Sequence, residues 1–347
     1  MHMADALLSP TVGGTMWLAT AATIGYCSRQ VHRSADDARV PLMGVLGAFV
    51  FTAQMINFTI PATGSSGHLG GGLLLAILLG PQAAFLTIAS VLTIQAFFFA
   101  DGGLLALGAN IFNLGFFPCF LAYPFLYRPL VGKNPSSGRI ALAAVVAGLA
   151  GLQMGAFGVV VETVSSGISA LPFKSFVLLM LPIHLAIGLV EGVVTAAVVN
   201  FVRQADPALL GGQSAPRPKR FASRRLVWGL LACAMVVGGA LSWFASTRPD
   251  GLEWSIAGVT GSEELPSAAE GGMKAELVAL QQRLAFLPDY QFRTTTPAAV
   301  APPQVKASWP AVNRGTSTAG LVGGLLTLGL AGLIGVALRK ARGRTRS

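Results

Sequence analysis

The first two residues, Met1 and His2, carry three nitrogen atoms that can bind one metal ion together. The α-amine of Met1 and the deprotonated backbone nitrogen of His2 close a five-membered chelate ring, and the His2 imidazole Nδ1 closes a six-membered ring. The three nitrogens lie in one plane, which suits the square-planar geometry of Ni(II), Cu(II) and low-spin Co(II). The chelate requires an unformylated amine, and the bulky second residue predicts that Met1 is retained. A fourth nitrogen would complete the square.

The start of the chain does not have the pattern of a cleaved secretory signal. Such a signal begins with positive charge, but the first ten residues contain no Lys or Arg, and Asp5 lies where that charge is expected. We therefore expect the N-terminus to be kept.

His68 is the predicted fourth ligand among the four histidines of the chain. It lies in the loop "PATGSSGHLGGG", whose small residues allow close backbone approach. Hydroxyl groups near it are expected to orient its ring, as groups around a metal ligand commonly do; these belong to Thr63, Ser65 and Ser66. His32 is interpreted as a solvated residue of a basic loop. The alternative is that His2 belongs to a frayed terminus and His68 is an ordinary loop residue.

The composition is that of an integral membrane protein. Of 347 residues, 53% are hydrophobic and only 11% are charged, whereas soluble domains carry about 25% charged residues. The net charge of +10 does not indicate nucleic-acid binding, because the basic residues form short groups between apolar runs. The three cysteines lie within apolar runs without C-x-x-C spacing, so they predict neither disulfides nor a thiolate metal site.

Nine apolar runs predict an all-α membrane protein in which about seven helices form a substrate-binding bundle and two more form a second module. The predicted crossings are 12–29, 40–60, 69–80, 82–100, 103–127, 138–163, 175–202, 226–245 and 318–338. The third run would reach only about 18 Å as a helix, against a hydrocarbon core of about 30 Å. We therefore expect the His68 loop to dip into the membrane, where protein must surround it.

The basic groups predict the orientation of the chain. They include Arg29, Arg33 and Arg39; Arg128, Lys133 and Arg139; the Arg/Lys cluster of 203–225; and the tail from Arg339 to Arg346. Positive charge favours the cytoplasmic side, so the crossings place the N-terminus and His68 outside and the C-terminus in the cytoplasm.

The predicted domains are a metal-binding membrane domain, 1–203, a cytoplasmic linker, 204–223, and a two-span module, 224–347. The external loop of that module, 246–317, contains half of the fourteen acidic side chains. It is interpreted either as a solvated loop or as a segment that folds over the metal site and helps to load the ion. In the second case Leu252 and Trp254 are expected to dock on the first domain.

Four motifs resemble the substrate-binding membrane component of the energy-coupling-factor (ECF) nickel/cobalt transporters, the CbiM/NikM family. They are "MHMADALLSP", "TGSSGHLGGG", "ANIFNLG" and "HLAIGLVEG", and the match covers roughly 1–205. The motif "RPDGLEWSI" resembles the small CbiN/NikN partner, so the chain looks like a fusion of the two.

The resemblance implies that Ni(II) or Co(II) is the transported substrate, bound through Met1, His2 and His68. It also implies a transmembrane scaffold and two cytoplasmic ATPases as partners in the cell inner membrane. No G-x-x-x-x-G-K-[ST] phosphate loop occurs in the sequence, so ATP hydrolysis is expected to come from other polypeptides.

Other intramembrane polar residues have two interpretations each. His184 and Glu191 are seven residues apart and therefore lie on one helix face. They are interpreted either as a buried hydrogen-bonded pair or as a functional site. Asn110 and Asn113 are either inter-helix hydrogen-bonding groups or neighbours of the metal ligand. A small-residue face around Ala21 and Gly25 is interpreted as internal packing, with scaffold docking as the alternative.

Two competing functions remain open from the sequence. One is a proton-coupled secondary metal transporter that uses His184 and Glu191, for which no internal repeat was found. The other is an intramembrane serine protease, with Ser66 of "GSSG" as nucleophile and His184 as base, although this pattern is weak in a chain with 42 glycines.

Overall fold

The computed structural model describes residues 2–34, 40–133, 135–210, 224–263, 265, 272–293 and 309–344. This part of the chain is almost entirely helical, which confirms the predicted all-α fold. The first domain contains α1 (Pro10–Ser34), α2 (Val40–Gln54), α3 (Gly72–Leu79), α4 (Pro81–Phe99), α5 (Leu107–Val131), α6 (Ser137–Ser166) and α7 (Phe173–Ala205). The second module contains α8 (Arg224–Gly239), α9 (Gly251–Thr260), α10 (Met273–Leu284) and α11 (Arg314–Arg344).

Five described helices are long and apolar enough to cross a membrane, namely α4 to α7 and residues Arg314–Ala341 of α11. The predicted run 69–80 forms the eight-residue helix α3, and every residue of α3 is buried. Protein therefore encloses this short helix on all sides, as required for an element that cannot span a bilayer by itself.

The predicted crossing 40–60 is too long at its C-terminal end. Helix α2 ends at Gln54, and β1 (Phe58–Thr59) then pairs antiparallel with β2 (Ser66–Gly67). A short apolar run does not distinguish a helix from a strand by its periodicity. The resulting hairpin contains the loop that leads to His68.

Helix α5 changes from α-helical to π-helical geometry between Phe112 and Tyr127. Pro118 and Pro124 lie inside this stretch, and proline cannot donate the backbone hydrogen bond of a regular α-helix. The wider π-helical turns therefore occur where the prolines already interrupt the regular backbone hydrogen bonds of the helix.

The second module packs directly on the first domain. Helices α8 and α11 both contact α2, and residues of both modules belong to one hydrophobic cluster. At Gly44 of α2, an added Cβ atom would lie 2.6 Å from the Leu328 carbonyl of α11. Glycine at this position is therefore needed for the close approach of the two helices.

The basic helix ends meet away from the end that holds His2 and His68. Arg203, near the end of α7, donates to the Pro135 carbonyl, just before α6, and to Oγ of Ser137, the first residue of α6. The prediction for His32 is wrong, because this half-buried residue places Nδ1 3.0 Å from the Leu338 carbonyl of α11. It joins the ends of α1 and α11 instead of facing only solvent.

The prediction that Ala21 and Gly25 form an internal packing face is also wrong. Both residues are exposed in the described part of the chain, and an added Cβ atom on Gly25 would meet nothing within 4 Å. This face of α1 points away from the bundle.

Candidate metal centre

The segment around His2 is anchored in the bundle and is not frayed. Met3 is fully buried, its backbone N–H donates to Asn110 Oδ1 at 2.8 Å, and Asn110 Nδ2 donates to the Met3 carbonyl at 3.1 Å. Asp5 Oδ1 accepts a hydrogen bond from the Ala106 N–H at 3.0 Å. Asn110 is therefore close to the candidate ligand His2, and the segment is held by both main-chain and side-chain contacts. Met1 lies outside the described residues.

The His68 loop is held against α7 by Glu191. One carboxylate oxygen accepts from the Gly70 N–H at 2.9 Å, and the other accepts from the Gly71 N–H at 3.1 Å. A Cβ atom on Gly67 would lie 2.5 Å from Ile187 of α7. The glycines of the loop therefore allow its backbone to approach the helix closely and to meet the Glu191 carboxylate.

The two anchored segments bring His2 and His68 together. Their imidazole rings are stacked, with centroids 5.0 Å apart and an angle of 10° between the ring planes. Both side chains are less than one-tenth exposed. Two residues 66 positions apart in sequence thus form one buried nitrogen-rich site.

Two carboxylates lie beside these rings. Asp101, two residues after the end of α4, places Oδ1 2.9 Å from His2 Nδ1, and the hydroxyl of Tyr290 donates to Asp101 Oδ2. Asp250, at the start of α9, places Oδ2 3.9 Å from His68 Nε2. Neither acid was predicted as a site residue. The available signal for Asp101 was an acid at the end of an apolar run on the predicted side of His68.

Burial changes the ionisation of the site. It lowers the pKa of the His68 imidazole to about 3, because a charged ring is poorly solvated there. Burial alone would raise the pKa of the Asp101 carboxyl, but the charge and hydrogen bond of His2 and the hydrogen bond from Tyr290 hold it below its ordinary value. The site therefore combines a neutral His68 ring with an ionised carboxylate.

The two imidazoles are donors of a type that divalent transition-metal ions accept. Imidazole nitrogens suit nickel and cobalt, and His2 Nε2 is buried without a hydrogen-bond partner among the described residues. The nearby acids supply negative charge. In this arrangement His2 Nδ1 faces Asp101, so chelation through Nδ1 requires the His2 ring to leave that carboxylate.

The hydroxyl groups predicted to orient the His68 ring act on the main chain instead. Ser65 and Ser66 donate to backbone carbonyls, the latter to Arg248 at 2.8 Å, and Thr63 donates to the Ile60 carbonyl at 2.9 Å. The Ser66 bond ties the His68 loop to the second module, and these bonds of Ser65 and Thr63 lie within the loop. These hydroxyl protons are therefore used on carbonyls, and His68 Nδ1 itself lies 3.2 Å from the Leu69 carbonyl.

His184 and Glu191 are buried but do not form the predicted hydrogen-bonded pair. His184 Nδ1 lies 2.7 Å from the Met180 carbonyl one turn earlier, whereas both oxygens of Glu191 bind the loop glycines. His184 lines a small cavity, with room for about one water molecule, together with His68 and Asp250.

Asn113 belongs to the packing between helices. Its Nδ2 donates to Glu162 Oε2 of α6 at 2.8 Å. Glu162 was not singled out from the sequence, and the Asn113–Glu162 contact supports the inter-helix interpretation of Asn113.

The described part of the segment that was predicted to be external, 246–317, lies over both loops of the site. Near its start, the Ser66 N–H donates to the Pro249 carbonyl at 2.8 Å and Trp254 Nε1 donates to the Thr63 carbonyl at 3.0 Å. Farther along, Gln281 Nε2 donates to the Gly102 carbonyl at 2.7 Å. Leu252 is buried. The expected docking of Leu252 and Trp254 is confirmed, and the described part of the segment is not a freely solvated loop.

Comparison with known proteins identifies the family. Residues 2–209 match the family model of the cobalt uptake substrate-specific transmembrane region, CbiM. The chain belongs to the CbiM family. Residues 224–340 match the PDGLE domain. Together with its membrane-length helices, CbiM membership makes the chain a multi-pass membrane protein.

Several relatives resemble this CbiM-family chain over long regions. A putative fused nickel transport protein NikMN of Archaeoglobus fulgidus is 32% identical and covers 95% of this chain and 96% of the relative. A putative metal transport protein of Haloquadratum walsbyi is 38% identical over 60% of this chain and 93% of its own length. A crystal structure of a truncated transition metal transporter matches with a TM-score of 0.53 and 32% identity, covering 59% of this chain and 99% of that structure.

Proposed function

We propose that this chain is the substrate-binding membrane component of an ATP-driven ECF importer for nickel or cobalt ions. The relatives support a metal transporter rather than an enzyme, because they are named as nickel, cobalt or metal transport proteins. The stacked pair of His2 and His68 carries the proposal, since it forms a buried nitrogen site between segments that the fold holds in place.

The ion is bound by the Met1 amine, the His2 backbone nitrogen and Nδ1, and the His68 imidazole. The first three nitrogens form two fused chelate rings, and His68 occupies the fourth position of a square plane. The burial that lowers the pKa of His68 keeps its ring neutral and able to donate a lone pair. Asp101 releases His2 Nδ1 when the ion binds. Asn110 holds Met3, which restricts the position of the chelating terminus.

The import cycle uses separate partners. A transmembrane scaffold and two cytoplasmic ATPases supply the energy, while the chain itself selects and holds the ion. The metal site faces the outside of the cell inner membrane, and the basic helix ends and the C-terminus face the cytoplasm. The physiological ion is Ni(II) or Co(II).

The competing functions receive less support from the side chains. Ser66 Oγ donates to the Arg248 carbonyl and not to His184, so the two do not form a nucleophile and base. His184 and Glu191 have separate backbone partners, so they do not form a direct proton relay. Metal flux into liposomes that contain only the purified chain distinguishes the ATP-driven importer from the secondary transporter. Proton-driven flux without partner proteins would favour the secondary transporter.

An N-terminal extension tests the proposed ligand set. Adding two residues before Met1 converts its amine into an amide, so we expect Ni(II) affinity and the square-planar absorption spectrum to be lost. The same two residues added after Ser347 are the control. His68→Ala should leave a three-nitrogen chelate with weaker binding and an open position for water. Native affinity and spectrum in the N-terminally extended protein would contradict the proposal.

A further inference from the structure

We propose that Asp250 of the second module supplies a fixed negative counter-charge to the ion bound on the first domain. The inference rests on the proposed chelate of the preceding subsection. It assigns a specific charged residue of the PDGLE domain to the metal site, and so makes the site a shared property of both modules.

The two oxygens of Asp250 have different roles. Oδ1 caps α9, where it accepts from the Leu252 N–H at 2.7 Å and the Glu253 N–H at 2.9 Å. Glu253 Oε2 in turn accepts from the Asp250 N–H at 2.8 Å, which completes a capping box. These bonds fix the direction of the carboxylate. Its other oxygen, Oδ2, lies 3.9 Å from His68 Nε2.

The turn that carries Asp250 is seated rigidly on the first domain. The preceding carbonyls of Arg248 and Pro249 accept hydrogen bonds from Ser66, two residues before His68. On the other side, an added Cβ atom on Gly251 would lie 3.0 Å from both His184 and Ile187. The side chain of Asp250 is only 15% exposed. Its position relative to His68 is therefore determined by several contacts on both sides.

The charge of the bound ion explains why a carboxylate is useful here. A divalent ion bound by one deprotonated amide and three neutral nitrogens keeps one net positive charge. A buried charge is costly without an opposite charge nearby. The four nitrogens of the proposed chelate already fill the square plane. Asp250, with Oδ2 3.9 Å from His68 Nε2, therefore acts through its charge and not as an additional ligand.

Asp250→Asn is the decisive variant, because asparagine caps a helix as well as aspartate but carries no charge. In the purified full chain, we expect Ni(II) affinity measured by calorimetry to fall between about tenfold and about a hundredfold. The helical circular dichroism of the metal-free protein should remain unchanged, because the cap of α9 is kept. The square-planar spectrum of the Ni(II) complex should also remain, since all four nitrogens are still present.

Two further variants make the result specific. Asp250→Ser keeps a capping oxygen and should lose as much affinity as Asp250→Asn. Glu253→Gln removes a neighbouring exposed acid while keeping the acceptor for the Asp250 N–H, and it should lose less than threefold. Unchanged affinity in Asp250→Asn, or an equal loss in Glu253→Gln, would overturn the role of Asp250. An unaffected His68→Ala variant would instead reject the chelate itself.

Discussion

At the scale of single residues, different contacts hold the two histidines of the candidate site. His68 is kept neutral by burial, which lowers its pKa to about 3. His2 is held through Nδ1 by Asp101, which Tyr290 of the second module supports. In the proposed chelate, the His68 ring has no proton to lose at neutral pH, whereas the His2 ring must exchange the Asp101 carboxylate for the ion.

The protonation state predicts how metal affinity depends on pH. The free α-amine has an ordinary pKa of about 7.7 to 8.0, and the His2 amide must also lose its proton when the chelate forms. Binding releases these protons, so lower pH disfavours binding. With a pKa of about 3, His68 adds no proton in this range. We expect affinity to fall by at least about a hundredfold from pH 7 to pH 6.

Calorimetry in two buffers with different ionisation enthalpies measures this proton release directly. The N-terminally extended protein is the control, because it lacks the amine and should show no comparable release. An affinity that stays flat between pH 5 and pH 8 would exclude the proposed amine and amide ligands.

At the scale of elements, helix α7 determines where the His68 loop lies. The loop has little regular structure of its own beyond the two-residue pairing of β1 with β2. Its backbone N–H groups at Gly70 and Gly71 both bind Glu191 of α7, and Gln54 of α2 donates to the Gly70 carbonyl at 2.8 Å. Side chains of two helices thus replace the hydrogen bonds that a longer sheet would provide.

Glu191→Gln should therefore weaken metal binding without touching a ligand. Glutamine offers only one oxygen to the two N–H groups, and its own NH₂ group faces a donor. An unpaired buried group costs about 1–3 kcal/mol of stability, which a thermal unfolding experiment detects. Because groups that position a ligand commonly change metal affinity by about 10- to 100-fold, we expect a loss in that range by calorimetry.

Glu162→Gln is the matched control for this prediction. Glu162 is also a buried acid of a long helix, but its partner is Asn113 Nδ2 at 2.8 Å. Glutamine can still accept that hydrogen bond, so metal affinity should stay within about threefold of the original. Equal losses in both variants would mean that Glu191 acts only through general stability.

At the scale of the whole molecule, the second module covers the face of the first domain that holds the candidate site. Its helices α8 and α11 pack on α2, while its external segment contacts the loops of His2 and His68. The two ends of this segment lie close together, because Trp243 Nε1 before it donates to Ser317 Oγ at its end, at 2.7 Å. A short linker can therefore replace the segment without separating α8 from α11.

Replacing residues 246–316 by a flexible linker should slow metal uptake in cells and weaken Ni(II) binding without abolishing it. The deletion removes the acids that raise the local cation concentration, while Met1, His2 and His68 remain. We expect the purified deletion variant to bind Ni(II) no more tightly than Asp250→Asn does, with the same square-planar spectrum. Undiminished uptake at low external metal would show that the segment has no loading role.

The sequence by itself was sufficient for properties that depend on local pattern. The length of the apolar runs predicts most of the helices, although the run 40–60 extends past the end of α2 at Gln54, and the third run is too short to cross a membrane. The pairing of Met1 with His2 predicts chelation, because adjacent backbone and side-chain nitrogens close small rings, and this stays a prediction. The residues of "PDGLEWSI" also indicated a docking segment, and Leu252 and Trp254 do dock.

Only the tertiary structure decided which distant side chains meet. Ser66 binds the Arg248 carbonyl, 182 residues away, instead of orienting His68. Asp101 and Asp250 reach the two histidines from loops that no spacing rule connects to them. Such contacts arise from the packing of helices that are far apart in the chain, so their partners and distances cannot be read from local periodicity. For the same reason, Glu191 binds the loop and not His184.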